Sequence, residues 1–202
     1  MTYQCHDTKE KIMEVARVLF SDHGFEGTSV RDIAKAADVN VASVNYHFSN
    51  KENLLTEIMR SGYEECSHTV KSIYERNNSL EETLVELFQY FTERSHNLVS
   101  MFKIKLSTQH SHHFVAEGSK DQLLGPPGGV VIAAAIRNEL GPDVTEEDVV
   151  WALRCLFTHV VHQSLMYNCC MKQGTSFQFT DTDIEKSIRR LTRIVLQDLR
   201  KK

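Results

Sequence analysis

The apolar residues of this chain recur at helical spacing almost throughout, and no segment alternates as a half-buried strand would. Ile12, Val15, Ala16, Leu19 and Phe20 fall at i, i+3, i+4, i+7 and i+8, which makes one apolar face of a helix. Leu84, Leu87, Phe88 and Phe91 form a second such stripe, and Ile184, Ile188, Leu191, Val195 and Leu199 a third. With 3 Pro and 9 Gly in 202 residues, little interrupts long helices. The reading is an all-α fold of about nine helices, long enough to bury a core as one large or two small domains.

Capping signals divide the chain. Asp7 with Glu10 opens a first helix, and Gly24 stops it. Thr28 caps a second helix running to about residue 37, and Asn40 caps a third, from about Val41 to His47. Ser49 and Glu52 form a capping box for a long fourth helix, and Ser79 with Glu82 repeats that box for a fifth. A sixth covers about 98–106. The prolines in Gly125-Pro126-Pro127-Gly128-Gly129 break the pattern. Helices resume before Gly141-Pro142, after Thr145, and at Thr182-Asp183-Ile184-Glu185. The expected organisation is an N-terminal helix-turn-helix domain over 1–48 and a helical domain over 49–202, linked by the fourth helix from about residue 50.

Three helices in so short a span, the last two brief and split by "ADVN", describe a helix-turn-helix, whose second helix can enter a DNA major groove. The segment "FSDHGFEGTSVRDIAKAADVNVASVNYHFSNKENLL" resembles the N-terminal signature of the tetracycline-repressor (TetR) family of bacterial transcription regulators. The matching pieces are Gly24-Phe25-x-x-Thr28, Ile33-Ala34, the short turn, Tyr46-His47-Phe48 and Lys51-Glu52-x-Leu54. Two positions depart from the pattern: Asp38 stands where the turn usually has Gly, and Asn45 where Tyr is common. The resemblance implies a dimeric, ligand-responsive regulator, a repressor binding a palindromic operator. Thr28, Ser29, Arg31, Tyr46, His47 and Lys51 are candidate DNA contacts. Val41, Ala42, Ser43 and Asn45 are the candidate base readers.

The resemblance also implies that the larger domain dimerises and holds a small-molecule effector. Residues 146–171 are apolar nearly all round, as suits a central or interface helix. Leu156, Val160, Leu191 and Val195 are the candidate dimer contacts. Phe88, Phe91, Met101, Phe102 and Trp151 are the candidate effector pocket. Cys155, His159 and His162 share a helix face, with Cys169 and Cys170 beyond, and His110, His112 and His113 crowd another segment. They raise the alternative of a metal-sensing or thiol-redox repressor, although no tight ligand motif supports metal. Core and interface roles are the reading favoured for them, so no metal and no cofactor is expected.

A net charge of −4 disfavours coating nucleic acid through bulk charge and leaves a small specific patch possible. A protein-interaction regulator with mainly nonspecific DNA affinity is the other alternative. No nucleophile elbow, phosphate loop or paired metal motif points to an enzyme. The chain has no run of 18 apolar residues and no apolar leader, so a cytoplasmic location without membrane contact is expected.

Overall fold

The computed structural model describes residues 3–77, 79–107, 126–172 and 180–201. Among the described residues the secondary structure is helical throughout: α1 (Tyr3–His23), α2 (Val30–Ala36), α3 (Val41–Phe48), α4 (Lys51–Asn77), α5 (Leu80–Glu93), α6 (Ser95–Ser107), α7 (Gly129–Leu140), α8 (Glu146–Lys172) and α9 (Asp181–Leu199). Two units are distinguishable. The first holds α1 to α3, α4 through Tyr63, and α6 from His96; the second holds α4 from Glu64, α5, and α7 to α9.

The first unit closes around the predicted stripes. Ile12, Ala16 and Phe20 of α1, Ile33 and Ala34 of α2, Val44 and Phe48 of α3, Leu54, Leu55 and Ile58 of α4, and Ile104 of α6 form one buried cluster. Phe25, in the loop after α1, packs its ring 5.4 Å from that of Phe20. Gly24 ends α1 at φ +76°, its N–H donating to Phe20 O at 3.1 Å, which is the left-handed stop that glycine provides.

Several caps sit away from where the sequence places them, by one or two residues at α2, α4 and α9 and by more at α1. α1 begins at Tyr3, so Asp7 lies inside the helix; nothing between Tyr3 and Asp7 breaks a helix. The cap of α2 is Ser29, not Thr28. Ser29 Oγ accepts from the Asp32 N–H, and the Asp32 carboxylate accepts from the Ser29 N–H at 3.0 Å. α4 is capped by Asn50, whose Oδ1 accepts from the Asn53 N–H at 2.7 Å. Ser49 is consumed by the turn before it, at φ +64°, and cannot bond Glu52. In α9 the box is Thr180 with Asp183. A short Asp closes the reciprocal bond in two of these sites, where the usual box has Glu or Gln. Ser79 does cap α5, but the Glu82 carboxylate reaches Arg189 on α9, at 2.9 Å to Nη2.

In the second unit α5 packs chiefly on α8 and also on α9, and α7 rests against all three. Leu84, Leu87 and Phe88 of α5, Ile132 and Ile136 of α7, Leu153, Leu156 and Val160 of α8, and Ile188 and Val195 of α9 are buried. Phe91 and Phe157 meet edge to face at 6.2 Å, an arrangement that aromatic rings favour. Arg189 and Arg193 of α9 both bond Glu81 of α5, at 3.2 Å and 2.8 Å. The Arg193 guanidinium and then that of Arg189 hold the Glu81 carboxyl below the ordinary carboxylate range, against a desolvation that raises it.

Gly128 opens α7 at φ +75°, and its N–H donates to Ser67 Oγ at 3.0 Å. A Cβ there would lie 2.5 Å from Val70 Cβ. Gly128→Ala therefore combines left-handed strain with overpacking and should cost about 2–5 kcal/mol. Val70→Ala in the same chain removes the two γ methyls at 2.7 Å but keeps the Cβ at 2.5 Å, so it should return only part of the packing cost and none of the backbone cost. A double-mutant cycle by denaturant unfolding checks this.

Candidate nucleic-acid interface

The geometry of α2 and α3 is set by their connection. The Asp38 N–H donates to Lys35 O at 3.2 Å, and the Val39 N–H to Ala34 O at 3.0 Å. This pair of bonds is a Schellman motif, which requires a left-handed residue at its centre. Asp38 takes that position at φ +52°, tolerated because its short polar side chain lowers the penalty. Asn40 then caps α3, its Oδ1 accepting the Ser43 N–H at 2.7 Å and the Ser43 hydroxyl at 2.9 Å.

Val44 and Phe48 bury the inner face of α3. The outer face carries Ala42 and Tyr46, with Val41 and Asn45 on one flank and Ser43 and His47 on the other. Val41, Ala42, Asn45 and Tyr46 are exposed, and Ser43 and His47 half-buried. Tyr46 is 81% exposed, its ring edge-on to that of His47 at 5.2 Å. Arg31 and Lys35 are exposed on α2. The structure thus brings Arg31, Val41, Ala42, Ser43, Asn45, Tyr46 and His47 into one unit with an open α3 face.

Thr28 and Lys51 are placed differently from the sequence expectation. Thr28 is 2% exposed, and its hydroxyl donates to Gly24 O at 2.8 Å, with Leu19 O at 3.2 Å. The Lys51 ammonium donates to Phe25 O at 2.7 Å and Thr28 O at 3.0 Å, and sits 4.1 Å from the centre of the Phe25 ring. Both side chains tie the α1–α2 loop to its neighbours. Ser29 is committed as the α2 cap, and its hydroxyl and N–H hold the Asp32 carboxyl below its usual range. Lys35 is an exposed cation that sequence reasoning passed over; its place on α2, one turn after Arg31, was the available signal.

The candidate effector residues do not gather in one unit. Phe88 and Phe91 are buried in the second unit. Met101 packs on the core of the first, where Phe102 also belongs. Trp151 is 46% exposed. A cleft of about 340 Å³ in the second unit is lined instead by polar side chains, among them Glu81, Glu139, Arg193 and Arg200. Leu156, Val160 and Val195, expected at a dimer interface, are buried in their own chain. Their helical stripe faces the α5–α7 side, and the open side of α8 carries Trp151, Arg154, Thr158, His162 and Met166. Leu191 is partly buried.

Among the described residues no group of three His, Cys, Asp or Glu side chains could hold a metal ion. His159 Nε2 lies 3.2 Å from Ser187 Oγ, and burial, then the neighbouring His162, lowers its pKa. Burial pushes the Cys66 thiol up to about 12, which suppresses thiolate chemistry there. His110, His112, His113 and the side chains of Cys169 and Cys170 lie outside the described residues.

The sequence profile of the tetR family of bacterial regulatory proteins matches residues 12–58, the span from α1 into α4. The chain is 42% identical over 105 residues to the Bacillus subtilis protein named "Probable HTH-type transcriptional regulator YttP", covering 52% of this chain and 45% of that protein. It is 35% identical over 82 residues to the biofilm operon icaADBC HTH-type negative transcriptional regulator IcaR of Staphylococcus epidermidis, covering 41% of this chain and 42% of that one. The matched segments therefore span less than half the length of either relative. Solved structures share the fold over almost the whole chain. One is a TetR family transcription regulator from Marinobacter aquaeolei VT8 (TM-score 0.69, 20% identity, 98% of this chain and 97% of that one). Another is the fatty acid degradation regulator FadR from Bacillus halodurans (TM-score 0.65, 18% identity, 96% of each). Residues 12–58, which build the helix-turn-helix from α1 into α4, therefore match the tetR family of bacterial regulatory proteins, and the chain shares its overall fold with these solved structures.

Proposed function

We propose that this chain is a transcriptional repressor that binds a palindromic operator as a homodimer and responds to a small-molecule effector. The observation that carries the reading is the α2–turn–α3 unit. Its second helix is braced from behind by Val44 and Phe48 and leaves its outer face open. In such motifs the first helix crosses the backbone and the second lies in the major groove. Arg31 and Lys35 on α2 are then phosphate contacts, and Tyr46 and His47 reach the backbone at the far end of α3. Lys51 holds the loop and makes no phosphate contact. No helix among the described residues is long and apolar enough to cross a membrane, which is compatible with a cytoplasmic regulator.

A single recognition helix covers too little of a duplex for selective binding, so two copies acting on a two-fold site are required. The open side of α8 and α9 supplies the surface. His159 meets Ser187 and Tyr167 meets Asp181, so the helices run antiparallel and the start of α8 comes level with the later turns of α9. Exposed Trp151 on α8 and Ile194 on α9 lie in that region, and a second copy of this chain would cover them.

Selection of bound fragments from sheared genomic DNA, followed by footprinting, should show two protected half-sites one helical turn apart on one face of the duplex. Protection without sequence preference would instead favour the protein-interaction reading. Arg31→Ala should flatten the slope of log affinity against log salt by about one unit per protomer. Lys51→Met should leave that slope unchanged while lowering stability by about 1–3 kcal/mol, since it removes a charged donor from two carbonyls. Trp151→Glu should yield a folded monomer by sedimentation and reduce operator affinity at least tenfold.

A further inference from the structure

If α3 reads DNA as proposed, the groups it presents restrict what it can read. Guanine offers two acceptors, N7 and O6, to the major groove, and the commonest partner is the paired donor of Arg or Lys. From Val41 to Phe48, α3 contains neither. Lys51, the next cation along the chain, is bonded to Phe25 O and Thr28 O. Arg31 and Lys35 lie on the helix that crosses the backbone. Ser43 spends its hydroxyl proton on Asn40 Oδ1 at 2.9 Å, so towards a base it can only accept. An acceptor is repelled by guanine's edge and suits the amino group of adenine or cytosine. Asn45 is exposed, and its amide pairs an acceptor with a donor, the complement of adenine N6 and N7. Against guanine its carbonyl would face an acceptor. Val41 and Ala42, both exposed in the first turn, offer only methyl groups, and the one apolar feature of the major groove is the thymine methyl.

We infer that the base pairs under α3 from Val41 to Asn45 are A·T-rich, with Asn45 reading adenine and Val41 and Ala42 reading thymine methyls. Specificity on this helix comes from one amide and from apolar contact, with no cationic fork to guanine.

The test uses the full chain and a randomised duplex library at near-physiological salt, followed by base analogues in the recovered site. The expected motif has A·T at the contacted positions of each half-site. Replacing the contacted thymidines by deoxyuridine, which lacks the methyl, should weaken binding several-fold. Placing 7-deazaadenine at the Asn45 position should weaken binding of the wild-type chain and have little effect on Asn45→Ala. Asn45→Ala should lose about 5- to 150-fold of discrimination at one position per half-site. Asn45→Arg should move that position to G·C, and circular dichroism of both variants confirms that α3 persists. A recovered palindrome with G·C fixed under the first turns of α3, or sensitivity to 7-deazaguanine there, would overturn the inference and leave the operator-binding reading standing. No enriched sequence would overturn that reading, and the base assignment with it.

Discussion

Two carbonyls in the loop between α1 and α2 have no helix to satisfy them, and the arrangement of the helix-turn-helix depends on their being met. Phe25 O and Thr28 O both accept from the Lys51 ammonium, and Phe25 O accepts the Thr28 N–H as well, at 3.3 Å. A buried acceptor left without a donor costs about 1–3 kcal/mol, and the Lys51 ammonium, bridging both carbonyls, ties the start of α4 to the loop. Thr28 reinforces the same joint from the other side, donating to Gly24 O and Leu19 O. With the loop held, Ser29 follows as the cap of α2, the Asp38 turn sets the crossing of α2 and α3, and Val44 and Phe48 seat α3 on the core. The residues that look most like anion contacts in the sequence, a Thr and a Lys beside helix starts, are the ones that build the platform. The exposed contacts stand on it.

The class and order of the helices were legible because periodicity is a property of whole segments: every stripe named from the sequence lies on a helix of the structure. Cap positions were less so. Thr28 and Ser29 are chemically interchangeable as caps, and only the burial of Thr28 beneath α1 decides between them. Ser49 reads as a cap until the α3–α4 turn forces it to φ +64° and passes the role to Asn50. The dimer candidates missed for a related reason. Periodicity locates a buried stripe but does not say whether a partner or the chain's own α5 covers it. For α8 the answer lies in α5 and α7, and the surface left over is Trp151, Met166 and the polar residues between them. The aromatic residues chosen for an effector were picked by density alone, and density marks core wherever helices pack.

The charge pattern of the second unit follows the same logic of local satisfaction. Arg189 and Arg193 of α9 are held by Glu81 and Glu82 at the start of α5, and Arg200 reaches Glu139 O at 3.0 Å. Exposed pairs of this kind add little stability individually. Their effect is to neutralise Arg189 and Arg193 on the side of α9 that faces α5.

Charge bears too on how a chain with a net charge of −4 could bind DNA at all. Nonspecific affinity is largely counterion release, and it grows with every cation laid against a phosphate. Here the cations on the helix-turn-helix are few, and Lys51 is committed inward. On the proposed reading such a protein would hold random duplex weakly, and a larger share of its affinity for an operator would come from fit: the open amide of Asn45, the methyl groups of Val41 and Ala42, and backbone contacts by Tyr46. Weak nonspecific binding also raises the ratio of specific to nonspecific affinity, which is the quantity that governs occupancy against a genome of competing sites. The acidity that argues against a nucleic-acid-binding protein at the level of composition is, at the level of this helix, consistent with a selective one.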